Sequence, residues 1–344
     1  VAPWVAAPGI TGAREIVCSS GQSGPPVSMA LVSAAERDAA RAHMDGLLAA
    51  IGAGPDSPTL LVNVLPMGIA VPTDLATVAT PSVHPEMALH VLTSLAPAFD
   101  RVVLVGEPLF IAELARRLPA GDVHPNLWIF TGGEPVAAAW GGFVAGALGI
   151  EPWRVGVSMG CAEIGLHLLY DTPELAAARR ALDADPGLWP DAPWRELTRD
   201  AFAPALMTYR HERLLVETRE RGGRPSLVMT PREPALLPLV RYDLGDVAWV
   251  LGPRAIDRLS AACGVPLPDA VVALAGRPDE LATAAGMRLR PEAVKERIFG
   301  DPRLATALSG RFRLTGEGDA AVLHVQRTER EADGALADAT AELA

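Results

Sequence analysis

Arg101-Val102-Val103-Leu104-Val105, then a helical stretch over residues 110–118, then Leu127-Trp128-Ile129-Phe130, make one strand–helix–strand unit. Both apolar runs are compact and bounded by turn residues, the pattern of parallel strands buried on two faces. The same alternation extends outward. Upstream lie a strand over residues 60–65 and helical character over 85–95. Downstream lie a small-residue helix over 136–148 and a strand over 153–158. Further upstream, residues 16–30 read as strand, Gly/Ser loop and strand. A helix over 34–51 follows, with Ser33 as its N-cap and Glu36 in its first turn. Short apolar strands alternating with helices predict an α/β layered fold with mostly parallel sheets.

The character changes after residue 172. Residues 172–194 are rich in Ala, Asp and Pro and suit a helix plus loop, whereas 213–218, 226–229 and 246–251 are strand-like and predict an antiparallel subdomain. A last unit starts near Gly276 and ends in a hairpin, 311–315 and 320–326, joined by Gly316-Glu317-Gly318-Asp319. The tail over 328–344 is acidic and Ala-rich. The expected division is a large core domain over 1–275 and a small, shortened α+β domain over 276–344.

The chain has 344 residues, 49% of them hydrophobic, enough for about two domains and a sizeable core. Its 30 basic against 41 acidic residues give a net charge of −11, which argues against a nucleic-acid partner because phosphate neutralisation needs a basic surface. The best apolar run, residues 59–71, is interrupted by Asn63 and Pro66 and is too short to span a bilayer. Val1-Ala2-Pro3-Trp4 carries no basic n-region, so no secretory leader is expected. Cys18, Cys161 and Cys263 are odd in number and far apart, which fits a reduced, cytoplasmic compartment without a disulfide framework. His84, His90, His124, His167 and His211 show no metal spacing, so no zinc site is expected. Lys295 is the only lysine. It lies in a helical run with Glu292, Glu296 and Arg297 and is expected at the surface.

The loop Ser19-Ser20-Gly21-Gln22-Ser23-Gly24 offers hydroxyls and unhindered backbone N–H groups, which suits either a phosphate cradle or an ordinary strand–strand turn. It is not a Walker loop, which needs Gly-Lys-Ser/Thr opening a helix. Further along come Gly133-Glu134-Pro135, Met159-Gly160-Cys161-Ala162-Glu163 and Leu239-Val240-Arg241-Tyr242-Asp243-Leu244-Gly245-Asp246. Gly276-Arg277-Pro278-Asp279-Glu280 and Gly286-Met287-Arg288-Leu289-Arg290-Pro291-Glu292 complete the series. In this order the segments resemble those of the adenylate-forming (ANL) superfamily, in its phenylacetate–CoA ligase-like branch, over about residues 16–325. The chain looks like a divergent and shortened member.

The resemblance implies roles. Ser19, Ser20, Gly21, Gln22, Ser23 and Gly24 would wrap ATP phosphates. Gly133, Glu134 and Pro135 would lie on the adenine side, with Ser158, Met159 and Gly160 lining the nucleotide. Glu163 would hold Mg²⁺, a hard ion suited to a carboxylate; a helix-start carboxylate is the alternative. Asp246 would accept both ribose hydroxyls, or be a plain turn Asp after Gly245. Arg277 would take the ribose from the other side and Arg288 would reach the α-phosphate, unless either is simply solvated. Asp279 would be the hinge. Met67 and Gly68, with Cys161, would border the acyl pocket, although residues 63–69 also read as core and a small buried thiol is more often packing than nucleophile.

The pattern departs from the family in five places. Pro25 stands where the phosphate loop carries Lys, and Gln22 replaces a Thr. Met159 replaces the aromatic that stacks on adenine, and Ala162 the Thr beside the glutamate. No lysine follows Lys295, where the family places one near the C-terminus. The implied function is ATP-dependent activation of a small carboxylic acid, aryl by analogy, to an acyl-adenylate. Transfer to CoA or a carrier-protein thiol would follow. The alternatives are an acyltransferase that has lost adenylation and a binding protein without chemistry. A homodimer and a role in secondary metabolism are further expectations of the resemblance.

Overall fold

The computed structural model describes residues 9–19, 28–66, 68–134, 136–189, 204–233, 235–277, 282–284, 287–289, 291–317 and 320–328. Strands β1 (Ala13–Ser19) and β2 (Ser28–Ser33) form an antiparallel hairpin with Ser19 opposite Ser28, so the Gly/Ser loop joins their ends. Helix α1 (Ala34–Ala50) then starts at the expected cap. The Ser33 hydroxyl accepts from the Glu36 N–H while the Glu36 carboxylate accepts from the Ser33 N–H, a reciprocal capping box.

The main sheet contains β3 (Thr59–Val64), β4 (Thr77–Ala79), β5 (Arg101–Gly106), β6 (Leu127–Thr131), β7 (Val155–Cys161) and β8 (Gly165–Tyr170). Its order is β4-β3-β5-β6-β7-β8. Every pair is parallel except β7 with β8. Side chains alternate between two buried faces: Leu60, Val62 and Val64 of β3 face one apolar cluster and Leu61 faces the other. The first cluster is completed by α2 (Pro85–His90), α3 (Pro108–Arg117) and α4 (Ala138–Leu148), and the second by α1. Helices therefore cover both faces, which is why these strands read as unbroken apolar runs.

The predicted antiparallel subdomain is a five-stranded sheet of order β10-β11-β12-β13-β9. It is built from β9 (Ala205–Met207), β10 (Leu214–Arg221), β11 (Arg224–Pro231), β12 (Tyr242–Leu251) and β13 (Val271–Gly276). Helices α5 (Pro173–Ala184) and α6 (Pro253–Cys263) pack on one face of it. Leu169 of β8 packs on the other, with Met159 and Ile164 beside it. The antiparallel sheet thus abuts the β7–β8 edge of the parallel one. Gly276 is the last residue of β13.

Beyond it come the hairpin β14 (Ala282–Ala284) with β15 (Met287–Leu289), helices α7 (Pro291–Gly300) and α8 (Pro302–Ala307), and the hairpin β16 (Leu308–Glu317) with β17 (Ala320–Arg327). Phe299 and Ala305 are buried in the same cluster as the helices of the parallel sheet. The expected Asp279 hinge and the acidic tail past Thr328 lie outside the described residues. Among the described residues no helix is long and apolar enough to cross a membrane.

Candidate functional site at the carboxyl ends of β5, β6 and β7

Two segments singled out by sequence follow the carboxyl ends of the central parallel strands, Gly132–Glu134 after β6 and the end of β7 with the turn to Glu163, and Glu107 stands in the corresponding place after β5. Open parallel sheets bind ligands at these ends, because strand-to-helix loops converge there. Gly132 lies directly against the Ser158 carbonyl, only 2.5 Å from where a Cβ would stand, and the Ser158 hydroxyl donates to the Thr131 carbonyl at 3.3 Å. The β6 loop is therefore held against β7.

Gly160 is a second close approach. The β7–β8 ladder shifts register between Met159 and Cys161, which brings the returning strand against residue 160. A Cβ there would stand 2.7 Å from the Gly165 carbonyl oxygen and 3.0 Å from the Leu166 Cα, both main-chain atoms. Neither can swing away as a side chain would. Gly160→Ala is expected to cost about 1–3 kcal/mol and to displace the turn carrying Glu163. A denaturant midpoint equal to that of the parent chain would refute this.

On the facing sheet, the main chain is strained where it delivers the aspartate motif. Arg241 sits at φ +52, an unfavourable region for an arginine, with its N–H donated to the Thr230 hydroxyl at 2.8 Å. Tyr242 follows, and its hydroxyl is hydrogen-bonded to the Glu163 carboxylate. Burial, then the neighbouring Glu163 and Cys161, push that hydroxyl up to about 12. Asp243 braces the turn: its carboxylate accepts from the Ser226 hydroxyl at 2.5 Å and the Gly245 N–H at 3.0 Å, with Arg221 at 3.4 Å. Burial opposes its ionisation, but these donors together hold the carboxyl below the usual range. Gly245 turns the chain at φ +81.

Asp246 is then carried inward, 8% exposed. In the antiparallel register Val247 pairs with Gly276, so residue 246 faces residue 277. Arg277 Nε lies 3.6 Å from Asp246 Oδ1, and its side chain is 30% exposed. The two residues expected on either side of a ribose are thus neighbours, linked to Glu163 through Tyr242. Cys161 is half-buried, and burial followed by the charge of Glu163 pushes its thiol up to about 12. Burial of this kind disfavours the thiolate, the form that attacks.

Other expected residues are placed less fully. Gly68 is exposed at φ +70. Its neighbour Ile69 accepts from the Asn63 amide at 2.8 Å and packs in the cluster that holds Leu166. Arg288 lies on β15 and Ser19 ends β1. Ser20, Gly21, Gln22, Ser23, Gly24, Met67 and Pro135, and the side chains of Ser19 and Arg288, lie outside the described residues. Lys295 corrects its expectation. It is 12% exposed, not at the surface, and donates to the Glu134 carboxylate at 2.6 Å. The reason is tertiary: α7 lies against α4 and the β6 loop, cover that its own sequence does not announce. Glu107 and Tyr242 also belong to the site without having been singled out. The only signal for either was position, directly after β5 and inside the Arg-Tyr-Asp segment.

Beside the site, His43 Nε2 and the His167 carbonyl are 3.4 Å apart, and the His167 ring stacks on Tyr170 with centroids 4.6 Å apart. Burial and then Arg213 push His43 down to about 4. Burial and then His43 push His167 down to about 3. Both are neutral in the fold, so their contribution is present above pH 6.5 and is lost as pH falls toward 4 and 3. Asp171, which accepts from the Val157 N–H at 2.7 Å, runs the other way. Burial raises it to about 7, so its contribution is lost as pH rises through 7. Glu107 and Glu296, also raised by burial, act with Asp171 against the histidines, so the histidine contribution is read as a difference between chains. Between pH 7 and 4.5 the thermal midpoint is expected to fall more in the parent chain than in His167→Gln. An equal fall in both chains would refute it.

A cavity of about 380 Å³ opens near the site but not within it, beside the start of α4 and lined by Asp171, Arg179, Asp183 and Glu296. Among the described residues no three His, Cys, Asp or Glu side chains are grouped to hold a metal ion. Mg²⁺ rarely needs such a cage, since one or two carboxylates plus substrate phosphates suffice, and Glu163 fits that use.

No protein-family model and no curated protein matches the sequence. Solved structures are similar in fold. A 2-hydroxyisobutyryl-CoA ligase, in the post-adenylation state with an acyl-AMP, matches at TM-score 0.63 and 15% identity, over 99% of this chain and 68% of the other. An anthranilate CoA ligase, AuaEII, in complex with anthranoyl-AMP, matches at TM-score 0.53 and 13% identity, over 94% and 59%. The amide bond synthetase McbA from Marinactinospora thermotolerans matches at TM-score 0.51 and 14% identity, over 94% and 61%. The chain thus spans about three fifths to two thirds of the length of these enzymes. With α/β layers, antiparallel sheet and C-terminal helix–hairpin unit matched over nearly its whole length, the chain has the fold of the adenylate-forming superfamily.

Proposed function

We propose that the chain binds ATP and a small carboxylic acid, aryl or otherwise, and joins them as an acyl-adenylate. The acyl group would then pass to a thiol of CoA or of a carrier protein. The observation that carries this reading is the Asp246–Arg277 pair standing beside the Tyr242–Glu163 pair, past the carboxyl end of β7. The complexes of the fold's neighbours with acyl-AMP support it.

In this reading Asp246 accepts hydrogen bonds from the ribose hydroxyls and Arg277 closes the other edge. Met159 offers an apolar face to the base. A carboxylate oxygen of the acid attacks the α-phosphorus; the bond from that phosphorus to the bridging oxygen breaks, and pyrophosphate leaves with the electron pair. Glu163 is the residue suited to Mg²⁺, which supplies positive charge to the phosphates when bound. Tyr242 fixes the orientation of that carboxylate. Arg288 is the arginine proposed for the α-phosphate, in the role the family gives partly to lysine. In the second step the thiolate attacks the acyl carbonyl and AMP leaves with the electrons of the broken C–O bond.

The test is titration with AMP and with Mg·ATP by calorimetry, followed by pyrophosphate exchange against a panel of acids. Saturable binding and acid-dependent exchange are expected. Binding of AMP without exchange would turn the reading toward acyl transfer from a preformed adenylate. No nucleotide binding would overturn it.

A further inference from the structure

The only lysine in the chain is largely buried at the edge of the proposed nucleotide site. Lys295 Nζ meets Glu134 Oε2 at 2.6 Å, with the lysine side chain 12% and the glutamate side chain 32% exposed. Glu134 belongs to the short loop that leaves β6, the same loop whose Gly132 is pressed against Ser158. A second carboxylate, Glu107, comes to this loop from the end of β5, its Cγ 3.8 Å from where a Cβ on Gly133 would stand. Burial and then the charge of Glu134 push the Glu107 carboxyl up, and Arg311 and Lys295 pull it down. Two converging carboxylates therefore depend on cations that both come from the C-terminal unit.

That unit is fastened to the helix layer at several other points. The Glu296 carboxylate accepts from the Ala139 N–H at 3.1 and 3.2 Å, at the first turn of α4. Arg116 of α3 donates to the Ala305 carbonyl at 2.7 Å and the Leu308 carbonyl at 3.0 Å. Its guanidinium lies over Phe143 and Phe299. Gly310, at φ +87, passes so close to Leu109 that a Cβ would stand 2.8 Å from a leucine methyl. Helix α7 is thus a fixed strut, and Lys295 is the one side chain it extends to the β6 loop among these contacts.

We propose that Lys295 is a positioning residue of the nucleotide site: from α7 it neutralises Glu134 and holds the β6 loop against Ser158, setting the wall on which the adenine side of the nucleotide rests. The proposal rests on the nucleotide reading above. The neighbours Glu107 and Glu134 explain why an uncharged residue would not serve, because their repulsion would then open the loop.

The experiment combines AMP titration with hydrogen exchange over residues 131–139 in the parent chain, Lys295→Met, Lys295→Arg and Glu134→Gln. Lys295→Met is expected to speed exchange in that segment and to weaken AMP binding about tenfold. Lys295→Arg should restore most of both. Glu134→Gln, a milder change that guards against a misfolded Lys295→Met, should weaken binding severalfold. The double variant should be no worse than Lys295→Met alone. Faster exchange with unchanged AMP affinity would overturn the positioning role and leave Lys295 structural. Unchanged exchange would overturn the clamp itself. If the parent chain binds no AMP, the functional reading falls and the positioning role with it, while exchange still reports separately on whether the clamp exists.

Discussion

Asp246→Ala is expected to lower AMP affinity by at least about 100-fold. A carboxylate accepting two ribose hydroxyls makes two charge-assisted hydrogen bonds, each of about 1.5–3 kcal/mol, and about 1.4 kcal/mol corresponds to a factor of ten. The fold should tolerate the change. Arg277, the partner across the strand register, is 30% exposed and can turn to water, so the thermal midpoint should move by only a few degrees, on the order expected for about 1 kcal/mol. Asp246→Asn keeps one acceptor oxygen and should lose about tenfold. Calorimetric titration of the three chains checks the series. AMP affinity in Asp246→Ala equal to that of the parent would remove the residue from the site.

Glu163→Gln should separate binding from chemistry. Glutamine keeps the shape and an acceptor for the Tyr242 hydroxyl but loses the charge proposed for Mg²⁺. Pyrophosphate exchange should fall by about 10²–10³, the usual cost of one electrostatic contact at a reacting phosphoryl or acyl group. AMP, which needs no metal, should still bind within a few-fold of the parent. The substitution has a readout independent of activity. The Tyr242 hydroxyl is held up to about 12 partly by the negative charge of Glu163, so one of the chain's three tyrosines should ionise at lower pH in the variant. An unchanged ultraviolet titration would mean that Tyr242 and Glu163 are not joined as described. A drop in AMP affinity as large as the drop in exchange would mean that Glu163 acts on binding and not on the reacting phosphate.

The strands and helices of the parallel layer were legible because each answers to a local cause. Residues 102–105 and 127–130 are apolar without interruption since both faces of β5 and β6 are covered, and Ser33 with Glu36 caps α1 through contacts three residues apart. The motifs around Glu163 and Asp246 were legible as short runs of residue types. The placement of Lys295 was not. Its helix is ordinary in composition, and the burial that changes the lysine's meaning comes from α4 and the β6 loop, some 160 residues earlier in the chain. His167 was likewise seen only as a histidine without metal spacing and His43 was not singled out at all, because their depressed titration arises from packing between α1 and β8.

By itself, then, the sequence determined the α/β alternation, the antiparallel subdomain and the order of the site segments, all carried by periodicity, turn chemistry and short-range spacing. Tertiary structure alone decided that Asp246 faces Arg277, through a register shift in the β12–β13 ladder. It also decided that Tyr242 anchors Glu163, and that the one lysine is drawn inward to Glu134. Each of these is a meeting of residues far apart in the chain, and such meetings are set by how sheets and helices pack, which no local pattern encodes.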